Sequence, residues 1–289
     1  MLVKPYFGDR EVIGLFRVGG PGLGNLLFPY CRAHILSLEK NIEMIPPIWP
    51  TIKIGPIIRM EKEQRFYLNL FRSFTAKRLS LLLKSRNFKE VNEDEVGKTY
   101  QLDEKTVIKV SGLRNYFKDL IGYNLELREF LYQTAAKNIQ SKVDAFDGNR
   151  SIGLHIRLGD YDEAGKTAIA WYLEKIKQLQ QNPTLATMEL IVFSDGKDSE
   201  LNEILSLPNC SRVKKPDALS DILRLSKCKI IIGSNSTFSA WSAFLGKRTF
   251  IRDDKFYMGK LFNEKDEIYE GSLQNLSSED LIRTTNLFS

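Results

Sequence analysis

The sequence predicts an α/β protein whose second half carries a parallel, doubly wound sheet. Three observations predict it. From residue 151 onward, short apolar runs alternate with stretches of helical period. The runs are continuously apolar, as in strands covered on both faces. Several of them end in polar clusters, at the strand ends where open α/β sheets bind ligands.

In the first half, Glu11–Val18 (EVIGLFRV) reads as a strand rich in β-formers. Gly19-Gly20-Pro21-Gly22-Leu23-Gly24-Asn25 follows as a turn, then a helical pattern through Leu26, Leu27, Tyr30, Cys31, Ile35 and Leu38. Strand, glycine-rich turn and helix bring backbone N–H groups against an anion or a sugar. The turn does not meet the G-x-G-x-x-G order of a dinucleotide fingerprint, and no acidic residue follows a second strand at the right distance. Ile45–Pro50, with three prolines in five residues, is a loop.

From Gln64 to Lys89 there are seven basic residues and no acidic ones, interleaved with Phe66, Tyr67, Leu70, Phe71, Phe74, Leu81, Leu82 and Phe88. This is either a solvated basic face on ordinary helices or an amphipathic segment for an anionic membrane surface. Val107–Val110 is a strand and Leu125–Val143 a helix, with Leu127, Phe130, Leu131, Ala135 and Ile139 on one face. The turn Asp147-Gly148-Asn149-Arg150 sets the boundary between a domain of residues 1–149 and one of 150–289.

In the second domain, strand Ile152–Arg157 leads to helix Ala168–Gln181, and strand Met188–Phe193 to a helix with Leu201 and Leu205. A short strand at Ser211–Lys214, helix Ala218–Cys228, strand Lys229–Gly233, helix Phe238–Leu245 and strand Thr249–Arg252 complete the alternation.

Composition bounds the class. At 289 residues, 43% hydrophobic and net charge +6, this is an ordinary globular chain with room for two domains and a leaning toward an anionic partner. No nucleic-acid motif accompanies the charge, and no run is long enough to cross a bilayer. Cys31, Cys210 and Cys228 are widely spaced and odd in number, without metal spacing, which fits reduced thiols in the cytoplasm.

The chemistry concentrates in His155-Ile156-Arg157-Leu158-Gly159-Asp160-Tyr161. Strand alternation puts His155, Arg157 and Gly159 on one side and Ile156 and Leu158 on the other. Arginine there suits a phosphate, because its donor fork matches phosphate oxygens two at a time; a structural Arg–Asp pair is the alternative. Ser194-Asp195-Gly196 and Gly233-Ser234-Asn235-Ser236-Thr237-Phe238 end two further strands. The second cluster opens a helix, whose free N–H groups and hydroxyls suit a diphosphate.

These residues resemble a family. Gly19–Asn25 with Phe28 and Tyr30 resembles the amino-terminal GGxGNxxFxY motif of bacterial α-1,2-fucosyltransferases, the family 11 glycosyltransferases, and His155–Tyr161 their HxRRGDY motif. Phe193-Ser194-Asp195 resembles their third motif, and Asp221–Cys228 with Asn235–Trp241 their NSSFSWW motif. Pro21-Gly22 extends the glycine loop, Leu26 stands at a usual Gln, Leu158 at the second arginine and Ala240 at the first tryptophan.

The resemblance implies a GT-B architecture, two Rossmann-like domains facing across a cleft, with the last helix able to return to the amino-terminal domain. It implies inverting, metal-independent transfer of L-fucose from GDP-β-L-fucose, with no cofactor, to a glycan or lipid-linked oligosaccharide; the basic aromatic stretch 64–89 fits an enzyme that meets this acceptor at the inner membrane face. Arg157 would hold the β-phosphate, His155 would lie against the nucleotide and Asp160 would orient its neighbours. Ser194, Asp195, Ser234, Asn235, Ser236, Thr237 and Phe238 would line the nucleotide, with Gly24 and Asn25 approaching from the first domain. A same-fold transferase with another nucleotide sugar, or a non-catalytic binding module, remains alternative. Asp9, Asp160, Asp162 and Glu163 are candidate bases, and Asp160-Tyr161-Asp162 is a metal-type pair that a different transferase fold could use. His34 reads as structural or surface, and Trp49 and Trp171 as core aromatics ahead of sugar platforms.

Overall fold

The computed structural model describes residues 1–8, 10–12, 16–52, 66–96, 103–159, 166–234, 236–253 and 258–273. The chain forms two compact units, one of Met1–Tyr123 with Thr134–Ala136 and one of Asn124–Gln133 with Lys137–Ser289.

The first unit holds β1 (Leu2–Tyr6), β2 (Arg10–Val12), β3 (Phe16–Val18), α1 (Leu23–Glu39), β4 (Glu43–Met44), β5 (Thr51–Ile52), α2 (Thr75–Lys84), β6 (Lys89–Asn92) and β7 (Thr106–Ser111). One sheet is parallel throughout, in the order β4-β1-β7-β6. Register sets Leu2 beside Val107 and Val3 beside Ile108, so alternate residues serve opposite faces. Val3, Ile108 and Val110 pack with Ala33 of α1, while Leu2 and Val107 pack with Leu81 of α2. A helix therefore covers each face.

Two departures from the expected pattern appear here. The expected strand Glu11–Val18 is two, β2 and β3, paired antiparallel with Arg10 opposite Val18; Gly14 interrupts the β-forming run and propensity alone could not place the reversal. Strand β1 was not expected, and its Pro5 argues against a central strand. The proline is tolerated because β4 pairs only with Leu2 and Val3, leaving Pro5 with β7 alone. Among the described residues of the basic stretch 64–89, Thr75–Lys84 is helical and Lys89 opens β6.

The second unit begins with α3 (Asn124–Thr134) and α4 (Lys137–Asp144), two helices where one was expected. They separate where Ala135 bridges to Phe71 and Ala136 N donates to Leu70 O at 2.9 Å. The expected boundary at 147–150 lies inside this unit. Both helices are tied to it: Asn124 donates to Phe244 O at 2.9 Å, and Lys227 donates to Val143 O and Phe146 O at 2.5 and 2.8 Å.

Next come β8 (Ser151–Ile156), α5 (Ile169–Gln180), α6 (Pro183–Ala186), β9 (Glu189–Ser194), α7 (Asn202–Leu205), β10 (Cys210–Arg212), α8 (Ala218–Leu225), β11 (Ile230–Gly233), α9 (Thr237–Gly246), β12 (Thr249–Arg252) and β13 (Glu270–Gly271). Apart from α6 and β13, which were not anticipated, these elements fall where the alternation put them, within a few residues at each end. The sheet is parallel in the order β10-β9-β8-β11-β12-β13, or 3-2-1-4-5-6 within the unit. Ile152, Leu154 and Ile156 meet Tyr172, Ile176 and Leu179 of α5 on one face. On the other, Gly153 leaves room for Leu225 and Cys228, which would lie 2.3 and 2.9 Å from an added Cβ. Fully burying each such aliphatic side chain contributes roughly 1.5–3 kcal/mol, which explains strands without polar alternation.

Candidate functional site

The order 3-2-1-4-5-6 reverses direction between β8 and β11, and a sheet of this kind opens a crevice at the carboxyl ends of those two strands. Gly233 is in register with His155, and Ser234 N donates to His155 O at 3.0 Å. The His155–Arg157 segment and the Ser234–Phe238 segment are therefore neighbours.

His155 is held from all sides. Its ring lies parallel to Phe238, centroids 4.6 Å apart. Its Nδ1 is 2.5 Å from Ser239 Oγ and 3.2 Å from Ser234 Oγ, and its carbonyl accepts from the Tyr172 hydroxyl at 3.0 Å. Burial, then the nearby Arg157 cation, push its pKa down to about 3. The imidazole is therefore neutral at physiological pH and acts as a hydrogen-bonding wall, with the positive charge left to Arg157. Close approach of α9 requires glycine at 233: a Cβ there would meet Ser239 Cβ at 2.5 Å and Phe250 at 2.7 Å.

Arg157 sits just past β8, its side chain about one-fifth exposed, with Nε 3.9 Å from Asp195 Oδ2. That distance makes a loose ion pair, one that directs the guanidinium without a bidentate grip. Asp195 has a second task, accepting from Leu158 N at 2.8 Å. Ser194 Oγ accepts from Gly196 N at 3.0 Å, and Arg212 donates to Ser194 O and Gly196 O at 3.0 and 2.7 Å. The end of β9 thus braces the end of β8. Leu158 fills the space beside Gly196, where a Cβ would lie 2.6 Å from Leu158 Cδ1.

Helix α9 starts at the crevice. Ser236 is its N-cap in extended conformation, its hydroxyl accepting from Phe238 N at 3.2 Å. The first-turn N–H groups and the helix dipole favour an anion. Arginine at one strand end and a helix start at the next form a concentration of donors suited to a diphosphate.

A model of the family described as Glycosyl transferase family 11 matches residues 66–270, more than two thirds of the chain. The chain belongs to glycosyl transferase family 11. It is the family its four motifs resemble. No curated protein matches the sequence. Among solved structures, the NodZ α-1,6-fucosyltransferase soaked with GDP-fucose, a protein known from Bradyrhizobium, is 12% identical, covering 88% of this chain and 95% of that one at a TM-score of 0.49. A mutant of Arabidopsis thaliana FUT1 in complex with GDP is 11% identical over 88% and 71%, TM-score 0.44. The UDP-GlcNAc 2-epimerase of Methanocaldococcus jannaschii is 12% identical over 88% and 64%, TM-score 0.37. Similarity this low identifies neither donor nor acceptor.

Within this family 11 chain, His155, Arg157, Ser194, Asp195, Ser234, Ser236, Thr237 and Phe238 all gather at the ends of β8, β9 and β11. Gly24 and Asn25 open α1 in the first unit, after a turn in which Gly19 and Gly20 have φ of 83° and 89°. Asp9, Asp160, Asp162, Glu163 and Asn235 lie outside the described residues, as do the metal-type pair and any last helix beyond residue 273. Trp49 is core, stacked on Phe71 at 3.8 Å; Trp171 is half-buried against Tyr172. Sequence reasoning gave no site role to Tyr172 or Ser239. Their signal was indirect: buried hydroxyls on apolar helix faces need partners, and the partner of both is His155. Asp253, at the carboxyl end of β12, adds a carboxylate whose charge reaches Tyr172.

Proposed function

We propose that this chain is an inverting glycosyltransferase that moves L-fucose from GDP-β-L-fucose to a hydroxyl of a surface glycan or a lipid-linked oligosaccharide. Membership of family 11 supports the transferase class. The observation that carries the site assignment is the adjacency of the β8 end, which carries His155 and leads into Arg157, and the Ser234–Phe238 segment that opens α9, across the sheet's point of reversal. As the bond to the sugar's C1 breaks, charge grows on the leaving diphosphate. Arg157 and the α9 N–H groups stabilise that charge in place, an effect of several kcal/mol in preorganised sites. This makes a metal unnecessary to the scheme.

In this reading the two units face each other as a GT-B pair, the donor on the second, with Gly24 and Asn25 contributed by the first. The acceptor hydroxyl is O-2 of a galactose-type residue, because the four motifs resemble those of α-1,2-fucosyltransferases. Asp160 orients its neighbours. The reaction takes place in the cytoplasm, at the inner membrane face.

Leu158 favours a second reading, transfer from a different GDP-sugar by the same scaffold, since an apolar side chain against Gly196 stands where the family carries another arginine. One experiment separates the readings. The protein is incubated with a panel of GDP-sugars and galactose-terminated acceptors, and products are read by mass spectrometry. A fucosylated acceptor with a 2-linkage is the expected product. Another sugar on the acceptor selects the second reading, and GDP binding without turnover leaves a binding module.

A further inference from the structure

We propose that the outer face of α2 is a docking surface for an anionic lipid bilayer. The proposal rests on the first unit alone and is independent of the sugar chemistry assigned to the second.

The inner face of α2 is fully used. Arg78 is buried and donates to Pro46 O at 2.6 Å, and Leu81 packs with Leu2, Ile45 and Val107. At 100° per residue these side chains point away from Ala76, Leu79 and Leu83. A solvated helix would carry polar residues there. Instead Leu79 is 50% exposed and Leu83 71% exposed, and Phe74, just before the helix, is 38% exposed. Lys77 and Lys84 flank this apolar strip on the helix, both exposed, and Arg86 follows, exposed as well. The helix has no acidic residue, nor does the sequence from 64 to 89. Glu43 lies 3.7 Å from Lys84 in a pair more than half exposed, which neutralises little.

Two exposed leucines and a phenylalanine beside a row of cations have the composition of an interfacial helix, whose apolar strip enters the headgroup region while its basic flank meets anionic lipid. The other occupants fit less well. A second copy docked on this face would set Lys77 and Lys84 against their own equivalents. A nucleic acid would meet the cations and leave the leucines in water. Among the described residues no helix is long and apolar enough to cross a membrane, so the contact is along the surface.

The test is flotation of the full chain with vesicles of phosphatidylglycerol and phosphatidylcholine in equal parts, beside vesicles of phosphatidylcholine alone. Wild type is expected to float with the anionic vesicles and to partition at least about tenfold less onto the neutral ones. Raising salt from about 0.1 to about 0.5 M weakens binding as screening shortens. Leu79→Ser with Leu83→Ser, and separately Lys77→Glu with Lys84→Glu, each lower the partition at least about tenfold. Both pairs are on the surface, so melting temperature and GDP binding should stay as in wild type, and a failed transferase reading stays visible apart from a failed docking reading. No flotation of a folded wild type overturns the proposal, as does equal flotation of both double variants. A dimer in sedimentation that Leu79→Ser with Leu83→Ser dissolves would assign the face to a second copy and overturn it too.

Discussion

Two glycines, one in each unit, are glycine for opposite reasons. In the first, Gly19 has φ of 83° and nothing within 4 Å of where a Cβ would be; it is glycine because of the backbone's shape. In the second, Gly233 has an ordinary φ, but its missing Cβ would collide with Ser239 and Phe250. It is glycine because α9 must come close enough for Ser239 to reach His155. The first unit offers a shaped loop with open space before it. The second offers a packed cradle that holds an imidazole, a guanidinium and a helix start in fixed relation. Preorganised charge belongs in a cradle of the second kind, because donors that need not move when the ligand's charge develops stabilise it most.

Four substitutions or conditions sharpen this contrast. The largest effect is expected from Arg157→Ala, which removes the cation and leaves the cradle standing: turnover in the proposed fucosyl transfer falls at least about a hundredfold while the melting temperature barely changes. Next is acid. His155 is held neutral, with its pKa well below the ordinary value near 6.5, so its contribution to stability is fully present above about pH 6.5 and is lost as pH falls toward 3. In denaturant titrations His155→Asn should be less stable than wild type by about a few kcal/mol at pH 7, with the gap narrowing toward pH 4. A gap that stays constant with pH would show that the ring titrates normally. Third, Gly233→Ala should cost about 1–3 kcal/mol through overpacking and weaken nucleotide binding with it. Smallest is Gly19→Ala, about 1 kcal/mol of backbone strain with no neighbour displaced. If Gly19→Ala proved the costlier of the two glycine changes, the contrast between loop and cradle would be reversed.

The same contrast explains what sequence reasoning could and could not reach. The second sheet is covered on both faces, so Ile152–Leu154, Leu190–Phe193 and Ile230–Ile232 run apolar without interruption and their positions follow from the residues alone. Polar residues past such strands stand out, which is how His155, Arg157 and Ser234–Phe238 could be named. In the first unit the strands are as short as two residues, and β1 contains a proline whose tolerance depends on how far β4 extends. That is a tertiary fact, invisible in local pattern. The break between α3 and α4 has the same origin, since Ala135 pairs with Phe71, sixty-four positions earlier in a segment that looked helical. Within the site, the pattern revealed which residues sit at strand ends but not which brace which. Asp195, grouped with the nucleotide's neighbours, is occupied with Leu158 N and Arg157, and Ser239 passed for helix interior.

The central claim is that the ends of β8 and β11 hold one diphosphate between them. Titration calorimetry with GDP tests it most directly, on wild type, Arg157→Ala and Thr237→Pro. The last substitution deletes one N–H at the first position of α9, where proline is compatible with the helix. The account predicts one GDP per chain in wild type and at least about tenfold weaker binding in each variant. GDP bound as tightly by both folded variants as by wild type would contradict it.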